Sequence, residues 1–231
     1  MGLNCGCPLG DHIKDLTVAA CKVAFGQTQK LLFQRIYHED PVTHLPVKNS
    51  FPARGSGETP AQGSIVLKAS WTAKLPAADG TKVTVSPYVQ NPETEPGAAR
   101  TFGGDNQTRG GIPITIGREP TTFTGVFYQE SQATMAALKD YYCEEIGVYL
   151  IDEYGNIGCL ADDVNDPTTY YPIPIQEFFV GDLKLGGYSE PDSNAISFGF
   201  VPNWSDKFTI VKQSTMDFNP LSDLANVASG A

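Results

Sequence analysis

The chain has 231 residues, enough for one sizeable β domain that folds without disulfides or a structural metal. Its formal net charge is -10, and a field of that sign repels phosphate and argues against tight binding of duplex DNA. The only early apolar run, residues 16–25, contains Cys21 and Lys22 and lacks the pattern of an export signal. We therefore expect a protein that is made and kept in a cytoplasm.

The first part of the chain predicts a short N-terminal arm, residues 1–15, followed by strand-like runs at 16–25 and 30–37 that can pair as a hairpin. Residues 38–63 then lose all periodicity. Four prolines in this stretch exclude central strands from most of it. We predict a long loop here, because unstructured segments of this length tend to serve a function.

Strand-like sequence returns at 64–74 and 82–89, which an Ala-Asp-Gly turn connects into a second predicted hairpin. Residues 90–111 are again rich in Pro, Gly and polar side chains. They predict a second long loop. The two loops, 38–63 and 90–111, are either disordered surface segments or, as we favour, segments that become ordered against neighbouring subunits.

The second half alternates short strands with turns. Residues 121–128 predict a strand, and Ser131 is the predicted N-cap of a helix that runs to about Glu144. Further strands are predicted at 146–151, 156–160, 173–180, 183–188, 195–201 and 208–212. Residues 217–231 predict an extended or weakly helical tail. This order indicates an antiparallel β-sandwich or barrel with one flanking helix and two long loops.

The five cysteines are an odd number, which argues against a complete disulfide framework. Cys21, Cys143 and Cys159 each stand within apolar sequence, so we expect three buried thiols. Cys5, Cys7 and His12 offer soft ligands for zinc, although no second Cys pair completes the usual spacing.

Catalytic signatures are missing from the sequence. The histidines, His12, His38 and His44, form no metal or catalytic motif, and there is no phosphate-binding glycine loop or nucleophile elbow. The acidic run from Asp162 to Asp166 lacks the glycine and closing glutamate of a calcium-binding loop. We therefore predict no enzymatic activity, no cofactor and no metal.

Aromatic side chains leave a second function open. Trp71, Trp204, Tyr170 and Tyr171 are the residue types that form a sugar-stacking platform on a β-sandwich. The same types also fill cores and subunit interfaces. A carbohydrate- or receptor-binding module is thus the alternative to a structural protein.

Three stretches carry a resemblance to a known family: residues 117–127 (GREPTTFTGVF), the helix at 131–142, and residues 147–156 (GVYLIDEYGN). In this order they resemble tail tube and related ring proteins of tailed bacteriophages. They also resemble virion proteins of crAss-like phages, in which stacked neck rings join the portal to the tail. The similarity spans about 112–212, and the N-terminal arm, the Pro-rich loop 38–63 and the tail depart from it.

The resemblance implies a virion structural protein that forms a ring or tube in the tail or neck. Its partners would be further copies of the chain and other virion proteins, with DNA as transient cargo of a channel and no membrane involved. The candidate interface residues are Arg100, Phe102, Arg109, Tyr170, Tyr171 and Phe218.

Overall fold

A computed structural model describes residues 25–53, 62–104 and 106–227. The described chain is mostly antiparallel β sheet with few helices, which confirms the predicted fold class. Its strands are β1 Thr28–Arg35, β2 Tyr37–Glu39, β3 Pro46–Lys48, β4 Phe51–Pro52, β5 Val83–Val85, β6 Gln90–Glu95, β7 Ala99–Phe102, β8 Ile114–Arg118, β9 Thr121–Tyr128, β10 Ile146–Asp152, β11 Ile157–Ala161, β12 Thr169–Tyr171, β13 Ile173–Val180, β14 Ser193–Phe200 and β15 Phe208–Val211. The α-helices are α1 Lys68–Lys74, α2 Gln132–Lys139 and α3 Pro220–Asp223.

Strand β10 lies at the centre of the large sheet, and all of its residues are buried. One edge pairs with β1 along its whole length, from Arg35 opposite Ile146 to Thr28 opposite Asp152. The other edge is shared between two strands, because its first half pairs with β13 and its second half with β11. Since successive side chains of a strand point to opposite faces, β10 supplies two separate cores.

The first core lies between β10 and the strands β13, β14 and β9. Val148 and Leu150 of β10 face it together with Phe33 of β1. Phenylalanines dominate the opposite wall, where Phe123 and Phe198 stack with ring centroids 4.7 Å apart. Helix α2 closes this core with Met135 and Leu138, and the Ser131 side chain accepts a hydrogen bond from Thr134 N, as the predicted N-cap requires.

The second core lies on the other face of β10. Tyr149 packs there against Trp71 of α1 and Phe51 of β4, and Trp71 is fully buried. The Trp71 indole donates a hydrogen bond to the Ile65 carbonyl oxygen at 2.8 Å, and the Tyr149 hydroxyl donates one to Gln34 Oε1 at 3.2 Å. The buried polar groups of these aromatic side chains are therefore satisfied.

Two predicted strands are wrong. Residues 64–74 contain α1, because Trp71 and Leu75 lie four residues apart and both enter the second core from one side of a helical turn. Residues 183–188 form no regular strand, and only an isolated bridge joins Lys184 to Ser193. The prediction for Cys143 was also wrong, since that thiol is exposed, whereas Cys159 is buried as expected.

The long loop predicted at 38–63 contains the hairpin β2–β3 and strand β4 in its described part. His38 pairs with Val47 in that hairpin. The prolines fit because this is a two-stranded ribbon at the surface, where Pro46 opens β3 at the edge. The predicted strand at 16–25 and the arm 1–15 lie outside the described residues, Phe25 excepted.

Residues 216–227 pack onto the second core through Phe218 and Leu224. The Asn226 side chain continues this contact, because its Oδ1 accepts from Val85 N at 2.8 Å and its Nδ2 donates to Val85 O at 2.7 Å. Phe218 is only 4% exposed, so its side chain belongs to its own fold. This corrects the prediction of Phe218 as an interface residue.

The second core allows a stability prediction. Replacing Trp71 by Ala removes a fully buried side chain and leaves the Ile65 carbonyl without its donor, so we expect unfolding to become easier by about 3–5 kcal/mol. Urea denaturation followed by circular dichroism measures the loss. Tyr188→Ala, at a fully exposed position, is the control and should change stability by less than about 0.5 kcal/mol. Equal stabilities for the two variants would contradict the described core.

Candidate protein-protein interface

The second predicted loop, 90–111, is wrong as a loop, because most of it belongs to a long β-hairpin. Its inner half is β6 paired with β9, from Gln90 opposite Val126 to Glu95 opposite Thr122. The outer half is β7 paired with β8 and is separate from the main sheet. We name residues 99–118 the arm; it is distinct from the predicted N-terminal segment 1–15.

The arm is exposed along its whole length. No described residue from 93 to 119 is buried. Phe102, Ile112 and Ile116 are 56%, 69% and 66% exposed. An isolated two-stranded hairpin is marginally stable in water, and contiguous exposed apolar side chains mark interaction surfaces. The arm therefore has the properties of a segment that another molecule covers.

Strand register divides the arm into two faces. Phe102 lies directly opposite Ile114, and Thr101 lies opposite Thr115. Ile114 and Ile116 alternate with Thr115, so period-two geometry places the apolar side chains together and the threonines on the reverse side. A register shift between Arg100 and Thr101 marks a bulge, a feature that bends and twists a ribbon.

The arm differs in charge from the rest of the chain. Residues 99–118 contain Arg100, Arg109 and Arg118 but only one acidic residue, whereas the whole chain has a net charge of -10. Arg100 makes a loose ion pair with Glu119 at 3.8 Å, which contributes little at so exposed a position. Arg118 donates to Asn203 Oδ1 at 3.0 Å and holds the base of the arm against the turn after β14.

Two prolines mark the junction between the arm and the sheet. Pro96 follows β6 and Pro120 precedes β9, so neither strand has a backbone N–H to donate at its proline. Glu119 N donates to Ala98 O at 2.9 Å between them. A side chain at Gly97 would collide with the carbonyl of Glu119, so only glycine allows this close approach of the two strands.

The structure brings together three of the predicted interface residues, since Arg100 and Phe102 lie on β7 and Arg109 lies at the arm's outer end. Tyr170 and Tyr171 lie elsewhere, on β12 near the opposite edge of the sheet order. Both are half-buried, and the Lys48 ammonium group sits 4.1 Å from the centroid of the Tyr171 ring. Sequence reasoning missed Ile112, Ile114 and Ile116, whose alternation with Pro113 and Thr115 was the available signal.

Among the described residues weighed for metal or catalytic chemistry, His44 and Asp162 have structural partners, whereas the buried Nδ1 of His38 has no hydrogen-bond partner. The exposed His44 ring lies 2.5 Å from Glu39 Oε1 at the end of the β2–β3 hairpin. Hydrogen bonds from the Thr168 hydroxyl and the surrounding backbone amides hold the pKa of Asp162 well below its usual range. That carboxylate therefore closes its own loop. Within the described ranges, no group of three or more His, Cys, Asp and Glu residues is placed to hold a metal ion; Cys5, Cys7 and His12 lie outside them.

An open pocket of about 580 Å³ lies between β1, β5 and the segment after α2. Arg35 crosses it with a two-pronged ion pair to Glu144, both hydrogen bonds measuring 2.6 Å. The lining residues include no His, Cys or Ser. Its other charged lining residues are Asp79, Lys82 and Asp140.

No known protein-family model matches the chain, and no curated protein sequence matches it. Over the part of the chain that the structure describes, none of the helices has the length and apolar character needed to cross a membrane.

The exposure of the arm predicts a gradient of amide hydrogen exchange. In the isolated protein we expect the amides of β7 and β8 to exchange roughly 1000-fold faster than those of β10, because opening the arm disturbs no buried side chain. Exchange followed by mass spectrometry measures both segments in one sample. The β9–β14 pair serves as an internal control and should be protected like β10. Equal protection of the arm and β10 would contradict an uncovered hairpin.

Proposed function

We propose that this chain is a virion structural protein that forms a ring or tube in the tail or neck of a tailed phage, with DNA passing through as transient cargo. The observation that supports this function best is the arm. It extends beyond the sheet, carries Phe102, Ile112 and Ile116 in the open, and contacts little of its own chain. Such a segment gains its order from neighbouring subunits.

The composition of the arm supports a protein partner. Aromatic and arginine side chains are enriched where protein interfaces have their strongest contacts, and the arm presents Phe102 beside three arginines. A sheet edge is also available, because among the described strands β6 pairs only with β9. Its Pro92 and its two glutamates limit uncontrolled strand pairing along that edge.

The charge of the chain supports a conduit that does not retain DNA. A net charge of -10 opposes adhesion of a polyanion, so passing DNA meets a repelling wall. The carbohydrate-binding alternative has less support. Trp71 is fully buried, and Trp204 stacks on Phe200 with ring centroids 4.5 Å apart, so neither indole offers an open platform for a sugar.

Substitutions on the arm test the proposal. We expect the wild-type protein to form rings or tubes that negative-stain microscopy and light scattering detect, alone or with other virion proteins. Phe102→Asp combined with Ile116→Asp places two charges where apolar side chains become covered, and should weaken association about 100-fold or more.

Thr115→Asp is the matched control, because Thr115 lies on the reverse face of the same arm. It adds a charge without removing apolar surface and should leave assembly within about threefold of wild type. Assembly of the double variant at wild-type strength, with its fold intact by circular dichroism, would refute the structural role of the arm.

A further inference from the structure

A second exposed apolar surface lies away from the arm, beside the end of β13 and the segment after α2. Tyr142, which follows α2, is 77% exposed, and Phe179 of β13 is 61% exposed. They line an open groove of about 370 Å³ together with Lys139, Phe178, Val180 and Asp182. Leu183, Leu185 and Tyr188 continue the exposed apolar surface along the connection from β13 to β14. We name this groove and the 181–192 connection the apolar end.

Strand register fixes where the two surfaces lie. The arm leaves the sheet beside Thr121, which pairs with Phe200. The apolar end adjoins Tyr128, which pairs with Ser193 and lines a pocket together with Asp182 and Lys184. Strand β9 separates these two points by about 25 Å, whereas Phe179, which pairs with Ser197 opposite Thr124, lies about 10 Å along the strand from the base of the arm. The arm continues the β6–β9 hairpin in the direction away from both. An arm therefore does not cover the apolar end of its own chain.

The two surfaces also carry opposite charge. The segments 130–145 and 177–192, which build the apolar end and its surroundings, contain eight acidic residues and two lysines. Both lysines are already paired, Lys139 with Asp182 and Lys184 with Glu190. The arm contains three arginines and one acidic residue. An acidic surface with apolar side chains complements a basic hairpin with apolar side chains.

We propose that the apolar end of one chain accepts the arm of a second copy of the same chain, with Phe102 and the arm isoleucines covering Tyr142 and Phe179. This inference rests on the proposed function and names the partner of the arm. Donor and acceptor are different surfaces of the same chain, so the contact is head-to-tail. Such contacts repeat from chain to chain and end only where a ring closes.

Charge argues against the other arrangement of two copies. Two arms that paired with each other would bring together six arginines and two acidic residues, and like charges at an interface oppose association. The arm-to-acceptor contact instead brings opposite signs together. Rising salt should therefore weaken assembly.

A mixing experiment with two inactive variants tests the head-to-tail contact. The arm variant is Phe102→Asp with Ile116→Asp, which keeps its apolar end. The acceptor variant is Tyr142→Lys with Phe179→Lys, which keeps its arm and gains charges that repel it. Val164→Lys, at an exposed site in the 162–168 loop, is the control for added charge and should assemble as wild type.

Each inactive variant should remain monomeric in analytical ultracentrifugation, with association at least about 100-fold weaker than wild type. An equal mixture should form dimers that do not grow, because one intact arm meets one intact apolar end. Circular dichroism and urea denaturation establish that every variant is folded.

The other outcomes separate the two proposals. An acceptor variant that assembles like wild type, or a mixture that stays monomeric, would overturn the head-to-tail contact and leave the structural role of the arm standing. Wild-type protein that never self-associates would exclude a second copy as the partner of the arm. The proposed function would then stand if the protein joins particles formed by other virion proteins, and fall if it does not. An arm variant that assembles normally would overturn both.

Discussion

Burial of β10 on both faces is the constraint on which the rest of the molecule depends. A strand without a solvent face must have a partner on each edge and a packed layer on each side, and the chain meets these demands with β1, β11, β13 and two cores. Its last residue, Asp152, is buried and accepts hydrogen bonds from Gly26 N and Asn156 Nδ2. Buried carboxylates require such donors. The two halves of the domain thus share β10 and its neighbour β1, whose Leu31 and Phe33 face the first core and whose Leu32 faces the second.

Secondary structure was predicted well where burial of one face gives the apolar residues a regular spacing. Strand β9 was predicted at its observed bounds, and Ser131 was recognised as the N-cap, because alternating core residues and a local side-chain hydrogen bond both leave signals. Prediction failed for α1, where the helix is short and the preceding Ile65 and Val66 favour a strand. The arm was missed for a different reason. Its apolar alternation, Ile112 to Ile116, is short and follows a glycine-rich polar segment, so the whole stretch resembled a loop.

Buried and exposed apolar side chains lie in different parts of this chain. The interior around Trp71 and the phenylalanine stack is enclosed, while the arm and the apolar end leave aromatic and branched side chains in water. The proposed assembly would cover these groups and offset the cost of their exposure in the monomer. In that proposal the net negative charge opposes association except where a basic arm meets an acidic face.

The paired prolines at the base of the arm have a consequence for the size of the proposed assembly. Where Pro96 and Pro120 interrupt donation from both strands, few backbone hydrogen bonds join the arm to the sheet, and the bond from Glu119 N to Ala98 O lies between them. A change of angle there would leave the phenylalanine core intact and would require Arg118 to release Asn203. Under the proposed head-to-tail contact, identical chains with different arm angles would fit circles of more than one diameter.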